Sequence, residues 1–293
     1  MNALATPRRR VEPMIEGEYL FTARNFEQIA TFLRAQTGIA LTEAKAQLVY
    51  SRLAKRLRKL GIPDFDSYCE FIETSEGAGE RNEMMAALTT NVTRFYREPH
   101  HFEHLKRNIL PALIEKARSG GRVRLWSAAC SSGEEPYSMA LTLLEAFPDA
   151  GRYDVRLLAT DIDPNVVAKA RSGLYSEDAV SPIASSLRDR FLTREADRDR
   201  RMWRVKDEVR ALIAFKELNL IGEWPMRGRF DVIFCRNVVI YFEEETQVFL
   251  WNRFKSSLTP EGRLYIGHSE RIDVPGYVSD GLTVYKLAQR GGR

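Results

Sequence analysis

An apolar run at residues 123–126 gives way to small side chains, Ser127, Ala128, Ala129, Ser131, Ser132 and Gly133, and a helical pattern then runs from Glu134 to Phe147. That order specifies a strand, a tight turn and a helix. A second apolar run, Val155 to Ala159, leads to Asp161, where the acidic residue of a βαβ nucleoside site would accept hydrogen bonds from ribose hydroxyls. The turn holds a single glycine, Gly133, rather than the Gly-x-Gly-x-x-Gly that lets backbone approach a pyrophosphate. A phosphate ligand is therefore disfavoured. Small side chains beside Glu134 suit a nucleoside with an amino-acid tail and a positive centre, a description that fits S-adenosylmethionine (SAM).

The chain has 293 residues, enough for one large or two medium domains, and its 44% hydrophobic and 29% charged composition is that of a globular protein. No apolar run is long enough to span a bilayer, and Arg8, Arg9 and Arg10 precede no apolar segment of the secretory kind, so a cytoplasmic location is expected. Cys69, Cys130 and Cys235 lie far apart without His or Cys neighbours at metal spacing; they read as reduced thiols, and no metal is expected.

Residues 1–20 are charged and aperiodic and are expected to be a disordered tail. From 21 to 90 the pattern is all-helical. Phe26, Ile29, Ala30 and Leu33 mark a first helix ending at Gly38; a second, capped by Thr42, runs to Leu60 with Val49, Leu53, Leu57 and Leu60 in one sector and Lys45, Arg52, Lys55, Arg56 and Lys59 opposite; 65–73 and 82–89 supply two more. From 91 to 293 strands alternate with helices, which predicts an α/β domain with a mostly parallel sheet covered on both faces. Its strands are expected at 122–127, 154–160, 212–216, 230–235, 263–267 and 283–287. Residues 172–211 interrupt the alternation as an inserted subdomain with short strands of its own.

Polar residues just beyond strand ends should face the ligand of such a sheet. Candidates are the segment 89–98, Asn219 and Leu220 after one strand, and Arg236, Asn237 and Tyr241 after another. Asn91 and Thr93 could instead cap the helix near Pro99, and His268 reads as a structural histidine more readily than as a base.

These stretches together resemble the CheR family of chemotaxis receptor methyltransferases. The motifs are Thr-Asn-x-Thr-x-Phe-x-Arg-Glu, Ser-Ala-Ala-x-Ser-x-Gly-Glu-Glu-Pro-Tyr-Ser, Asp-Ile-Asp, Cys-Arg-Asn-Val-x-Ile-Tyr-Phe and Gly-His-Ser-Glu, and the likeness covers roughly residues 25–287. It implies a Rossmann-like class I SAM-dependent methyltransferase domain behind an all-helical domain. It also implies transfer of a methyl group to glutamate side chains of chemoreceptors, leaving S-adenosylhomocysteine (SAH), by an enzyme recruited to receptor arrays in the membrane. Implied cofactor contacts are Asn91, Thr93, Arg97, Glu134, Asp161, Asn219, Leu220, Arg236 and Asn237, with Arg97 and Tyr241 as the groups that position the reaction.

Residues 41–60 hold six cations (Lys45, Arg52, Lys55, Arg56, Arg58, Lys59) and one anion (Glu43), a local +5 within a net +4. About −1 is left for the remainder. With the family likeness, Lys45, Arg52, Lys55, Arg56 and Lys59 are expected to dock the acidic helices of the receptor's cytoplasmic domain. The rivals are an RNA methyltransferase, whose backbone the same helix could follow, and a cofactor-sensing module without catalysis. Neither a nucleic-acid partner nor membrane insertion is expected, and a monomer is. The stretch 192–203 lacks the glycines with which some family members hold a receptor tail as an added strand, so a tether peptide is not expected to bind.

Overall fold

The computed structural model describes residues 12–195 and 201–288. The chain divides between Thr89 and Thr90 into two compact units.

The first unit contains helices α1 (Ala23–Thr37), α2 (Ala46–Leu60), α3 (Phe65–Glu73) and α4 (Ala78–Leu88). The apolar stripe of α2, Val49, Leu53 and Leu57, is buried in one core with Ile29 and Leu33 of α1, Phe65 and Tyr68 of α3 and Met84 of α4. Three expectations need correction here. Thr42 makes no side-chain cap; a short 3₁₀ turn, Glu43–Lys45, precedes α2 instead. Leu60, placed on the buried stripe by its spacing, is 41% exposed because the helix ends there and the chain leaves the core. Residues 1–11 lie outside the described residues, but 12–20 are held in place rather than disordered. The Met14 N–H donates to the Phe21 carbonyl, and the Tyr19 N–H donates to the Tyr50 hydroxyl at 3.2 Å.

Among the described residues the second unit has ten strands: β1 (Val123–Ala128), β2 (Val155–Asp161), β3 (Leu174–Ser176), β4 (Leu192–Glu195), β5 (Met202–Val205), β6 (Ile213–Glu217), β7 (Phe230–Phe234), β8 (Leu258–Tyr265), β9 (Tyr277–Gly281) and β10 (Val284–Leu287). Seven form the main sheet in the order β6-β2-β1-β7-β8-β10-β9. β6 through β8 are parallel neighbours, while β10 runs antiparallel to β8 and β9. β7 is buried at every position and β1 at all but one, so both faces of the central strands are covered. Strand order reverses at β1, with β2 on one side and β7 on the other. A crevice beyond the carboxyl ends of these strands is where such sheets take ligands. β3, β5 and β4 make a separate antiparallel sheet within the predicted insertion. Residues 196–200, the middle of the stretch on which the tether expectation rests, lie outside the described residues.

Candidate active site

Five non-glycine residues of the second unit with positive φ lie in segments that carry the predicted site residues: Tyr96 and Glu98 in the segment before the Pro99–His104 helix, Ala129 and Ser131 after β1, and Asn237 after β7. Such conformations cost of order 1 kcal/mol or more each and persist only where surrounding bonds impose them.

After β1 the chain passes through Ala129, Ser131 and Gly133, all at positive φ, into the helix Glu134–Ala146. A Cβ on Gly133 would lie 2.7 Å from the Tyr175 hydroxyl and 2.8 Å from the Ala170 methyl, so only glycine fits. Asp161, at the end of β2, fixes this loop: Oδ2 accepts from the Ser131 N–H at 2.8 Å and Oδ1 from the Asp163 N–H at 3.0 Å. Each oxygen keeps a second lone pair for a ligand hydroxyl. Glu134 accepts from the Ser132 hydroxyl at 2.7 Å. Asn91 is not a helix cap; its amide donates to Asp163 Oδ2 at 3.0 Å and its carbonyl accepts from the Ser131 hydroxyl at 3.1 Å. Asn91, Glu134 and Asp161 therefore surround one loop, and Asp163, passed over in the sequence, belongs with them. The Leu218 N–H donates to the Asp161 carbonyl at 2.9 Å, which sets Asn219 and Leu220 beside the end of β2. Thr93 is half-buried on the Asn91 segment.

A second cluster lies after β7. The Arg236 guanidinium, 2% exposed, stands 3.2 Å from Glu98 Oε2 and 3.2 Å from Glu135 Oε2 and also donates to the Arg97 carbonyl. Its charge is balanced inside the protein, so it braces the wall of the site, while its Nε is buried without a hydrogen-bond partner among the described residues. Burial would lift the Glu98 carboxyl, but a hydrogen bond from His268 and the charge of Arg236 outweigh it and hold the group at about 2. Burial raises Glu135 despite Arg236. Burial, reinforced by Arg236, pushes His101 down to about 3, so its ring is neutral. Glu98, His100 and His101 bring ligand-type atoms within 4.8 Å of one another. A dication there would have to sit beside the Arg236 charge, and of the three only Glu98 belongs to the ionic network. Arg97 itself donates to the Val92 carbonyl at 2.9 Å, closing its own segment.

The loop after β7 is held by Glu270, which also escaped the sequence reading although its motif was noticed. Its oxygens accept from the N–H groups of Val238 at 2.7 Å, Val239 at 2.9 Å, Asn237 at 2.9 Å and Gly267 at 2.5 Å. Tyr241 follows in the 3₁₀ turn Val239–Tyr241 and is half-buried. His268 is exposed and bonded to Glu98, its Nδ1 2.8 Å from Glu98 Oε1.

Comparison with known proteins decides the family. Residues 91–280 match the CheR methyltransferase, SAM binding domain, and residues 24–89 the CheR methyltransferase, all-alpha domain. The chain belongs to the CheR methyltransferase family. It is 51% identical to a "Probable chemotaxis protein methyltransferase" of Rhizobium etli, over 88% of this chain and 97% of that one. It is 41% identical to "Chemotaxis protein methyltransferase 2" of Pseudomonas aeruginosa (92% and 95%) and 39% to the "Chemotaxis protein methyltransferase" of Escherichia coli (90% and 91%). The second unit is thus a class I SAM-binding methyltransferase domain, and the CheR chain is a SAM-dependent methyltransferase of chemotaxis.

The residues fit that cofactor. Asp161, Asp163 and Glu134 are buried together, and among the described residues their oxygens meet backbone N–H groups, a serine hydroxyl and an amide rather than a lysine or arginine. A ligand with ribose hydroxyls and cationic groups supplies the missing donors and charge. Burial raises the Asp161 carboxyl from 3.8 to about 6, backbone donors only partly opposing it. Since this folded pKa lies above the unfolded one, the group costs stability above pH 6, and the cost fades as pH falls toward 4. The ligand-free carboxyl therefore gains a proton just below pH 6, and an acceptor for ribose is lost. SAH binding by calorimetry is expected to weaken about tenfold per pH unit below 6 and to lose that slope in Asp161→Asn. A flat profile in the wild type would remove Asp161 from the site.

Proposed function

We propose that this methyltransferase esterifies glutamate side chains in the cytoplasmic helical domain of chemoreceptors, using SAM and releasing SAH. When bound, SAM supplies a methyl carbon on a cationic sulfur. The observation that carries the reading is the loop after β7. Its N–H groups at Asn237, Val238 and Val239 are consumed by Glu270, and it reads Cys-Arg-Asn-Val where amine methyltransferases carry an Asn/Asp-Pro-Pro-Tyr turn. An amine acceptor needs protein oxygens for its N–H groups, and often a base. A carboxylate arrives ionised at neutral pH and needs neither. His268 is accordingly free to serve Glu98. The chain's task is then to hold a carboxylate oxygen in line with the methyl group and to exclude water, which favours Tyr241 and Arg97 as positioning groups.

The docking strip is smaller than its sequence suggests. Arg56 pairs with Glu80 at 2.5 Å and Glu83 at 2.8 Å, and Arg52 donates to the carbonyls of Ala87 at 2.9 Å and Thr89 at 2.7 Å, at the carboxyl end of α4. These two arginines hold the helical unit together, so they are withdrawn as docking residues. Lys45 is half-buried; Lys55 and Lys59 are exposed. We assign receptor steering to Lys55 and Lys59. Charge reversal at both should lower labelled-methyl transfer to a receptor cytoplasmic fragment about tenfold at low salt and flatten its salt dependence, with SAH binding unchanged. Base-labile label in the fragment, equal with or without the fragment's carboxyl-terminal tail, supports glutamate esters and direct docking. Label in RNA, or none in the receptor, overturns the reading. The charged edge strand β4, with Arg194 paired to Glu177 and Glu195 paired to Arg204, supports the absence of a tether, since an added strand would have to lie beside these crowded charged side chains.

A further inference from the structure

A side chain of the inserted sheet, Tyr175, reaches the cofactor loop. Tyr175 is the central residue of β3, paired with Trp203 of β5, and is 2% exposed. Its hydroxyl donates to the Ser132 carbonyl at 2.7 Å. Its ring meets Phe95 edge-on at 5.0 Å and Tyr137 at 5.9 Å. Phe95 belongs to the segment carrying Asn91 and Arg97. Ser132 in turn donates its own hydroxyl to Glu134 at 2.7 Å. A single phenol thus braces the loop at positive φ and packs on the segment that lies across from it, and both carry predicted cofactor residues. Nothing in the sequence motifs marks this role, because the partner of the hydroxyl is a backbone carbonyl 43 residues away.

We propose that Tyr175 is a positioning residue for the cofactor, fixing the Ala129–Gly133 turn through Ser132 so that Glu134 is aligned for the ligand's positive end. The insertion is then part of the methyl-transfer machinery and not only a surface appendage. Burial raises the phenol well above its ordinary value, so it remains a donor at every working pH.

The test compares Tyr175→Phe with Tyr137→Phe. Tyr137 also donates its buried hydroxyl to a carbonyl, that of Ala170 at 2.9 Å, but that carbonyl lies outside the cofactor turn. Both variants should lose a similar amount of thermal stability. Tyr175→Phe should also weaken SAH binding by calorimetry about five- to tenfold, the worth of one buried hydrogen bond, and raise the KM for SAM far more than it lowers kcat. In a Glu134→Gln background the same change should cost less than twofold, because the two act through one contact. Equal affinity losses in the two tyrosine variants, an unchanged SAH affinity in Tyr175→Phe, or full additivity with Glu134→Gln would each overturn the assignment.

Discussion

Glu270→Ala is expected to destabilise the second unit by about 3–5 kcal/mol and to abolish methyl transfer, although Glu270 makes none of the contacts predicted for the cofactor. The residue is 3% exposed and its carboxylate accepts four backbone N–H groups, three of them consecutive from Asn237 to Val239. Removing it strands buried donors that each cost of order 1–3 kcal/mol, an estimate reduced by local relaxation. It also releases Asn237, whose φ of 59° is held by that anchor. Glu270→Gln is nearly isosteric but turns an NH₂ group toward donors, so it should recover less than half of the loss. Gly267→Ala should mimic the defect, since a Cβ there would come within 2.5 Å of the Asn237 side-chain nitrogen, 2.8 Å of its backbone nitrogen and 2.9 Å of Glu270 Oε2. Urea unfolding together with SAH calorimetry checks this. A Glu270→Gln variant within 1 kcal/mol of wild type that still binds SAH would show that the loop holds itself.

Glu270 also shows where sequence reading stops. The positions of β1, β2 and β7 were legible because each reads as an apolar run broken near its start by one charged residue, Arg124, Arg156 and Asp231. β9 was missed because Tyr277–Gly281 pairs only with β10 and is largely exposed, leaving no apolar pattern. The start of β8 was missed because Thr259, Pro260 and Glu261 are polar or turn-forming; pairing with β7 passes through a register shift there. Residue types at strand ends pointed to Asp161 and Glu134 because their chemistry toward a nucleoside follows from position. Glu98, Glu135 and Glu270 instead serve the protein's own backbone and cations, and that demand is invisible until distant segments meet. The same blindness misjudged the cationic helix. Periodicity gave the face on which Arg52 and Arg56 lie but not the acids and carbonyls 24 to 37 residues away that neutralise them.

Arg236 carries the second large expectation. It is the buried cation between Glu98 and Glu135, and it ties the Arg97 backbone to the end of β7. Arg236→Met keeps much of the volume against Phe102 and Phe234 but leaves two carboxylates without their counter-charge, which typically costs about 3–5 kcal/mol. The sign of the pH dependence distinguishes this cause from simple packing loss. With the cation gone, the Glu98 carboxyl loses part of what depresses it and the Glu135 carboxyl, already raised by burial, rises further, so the variant takes up protons on folding that the wild type does not. Its deficit should therefore be largest at pH 8 and shrink as pH falls through the raised values toward 5.5. Arg236→Lys retains charge but cannot span both carboxylates and the Arg97 carbonyl, so it should fall between the two. A deficit that is the same at pH 8 and 5.5 would assign Arg236 to packing alone. A deficit that shrinks on acidification, with SAH affinity lost in step, would establish that the pocket wall is held by this ionic network.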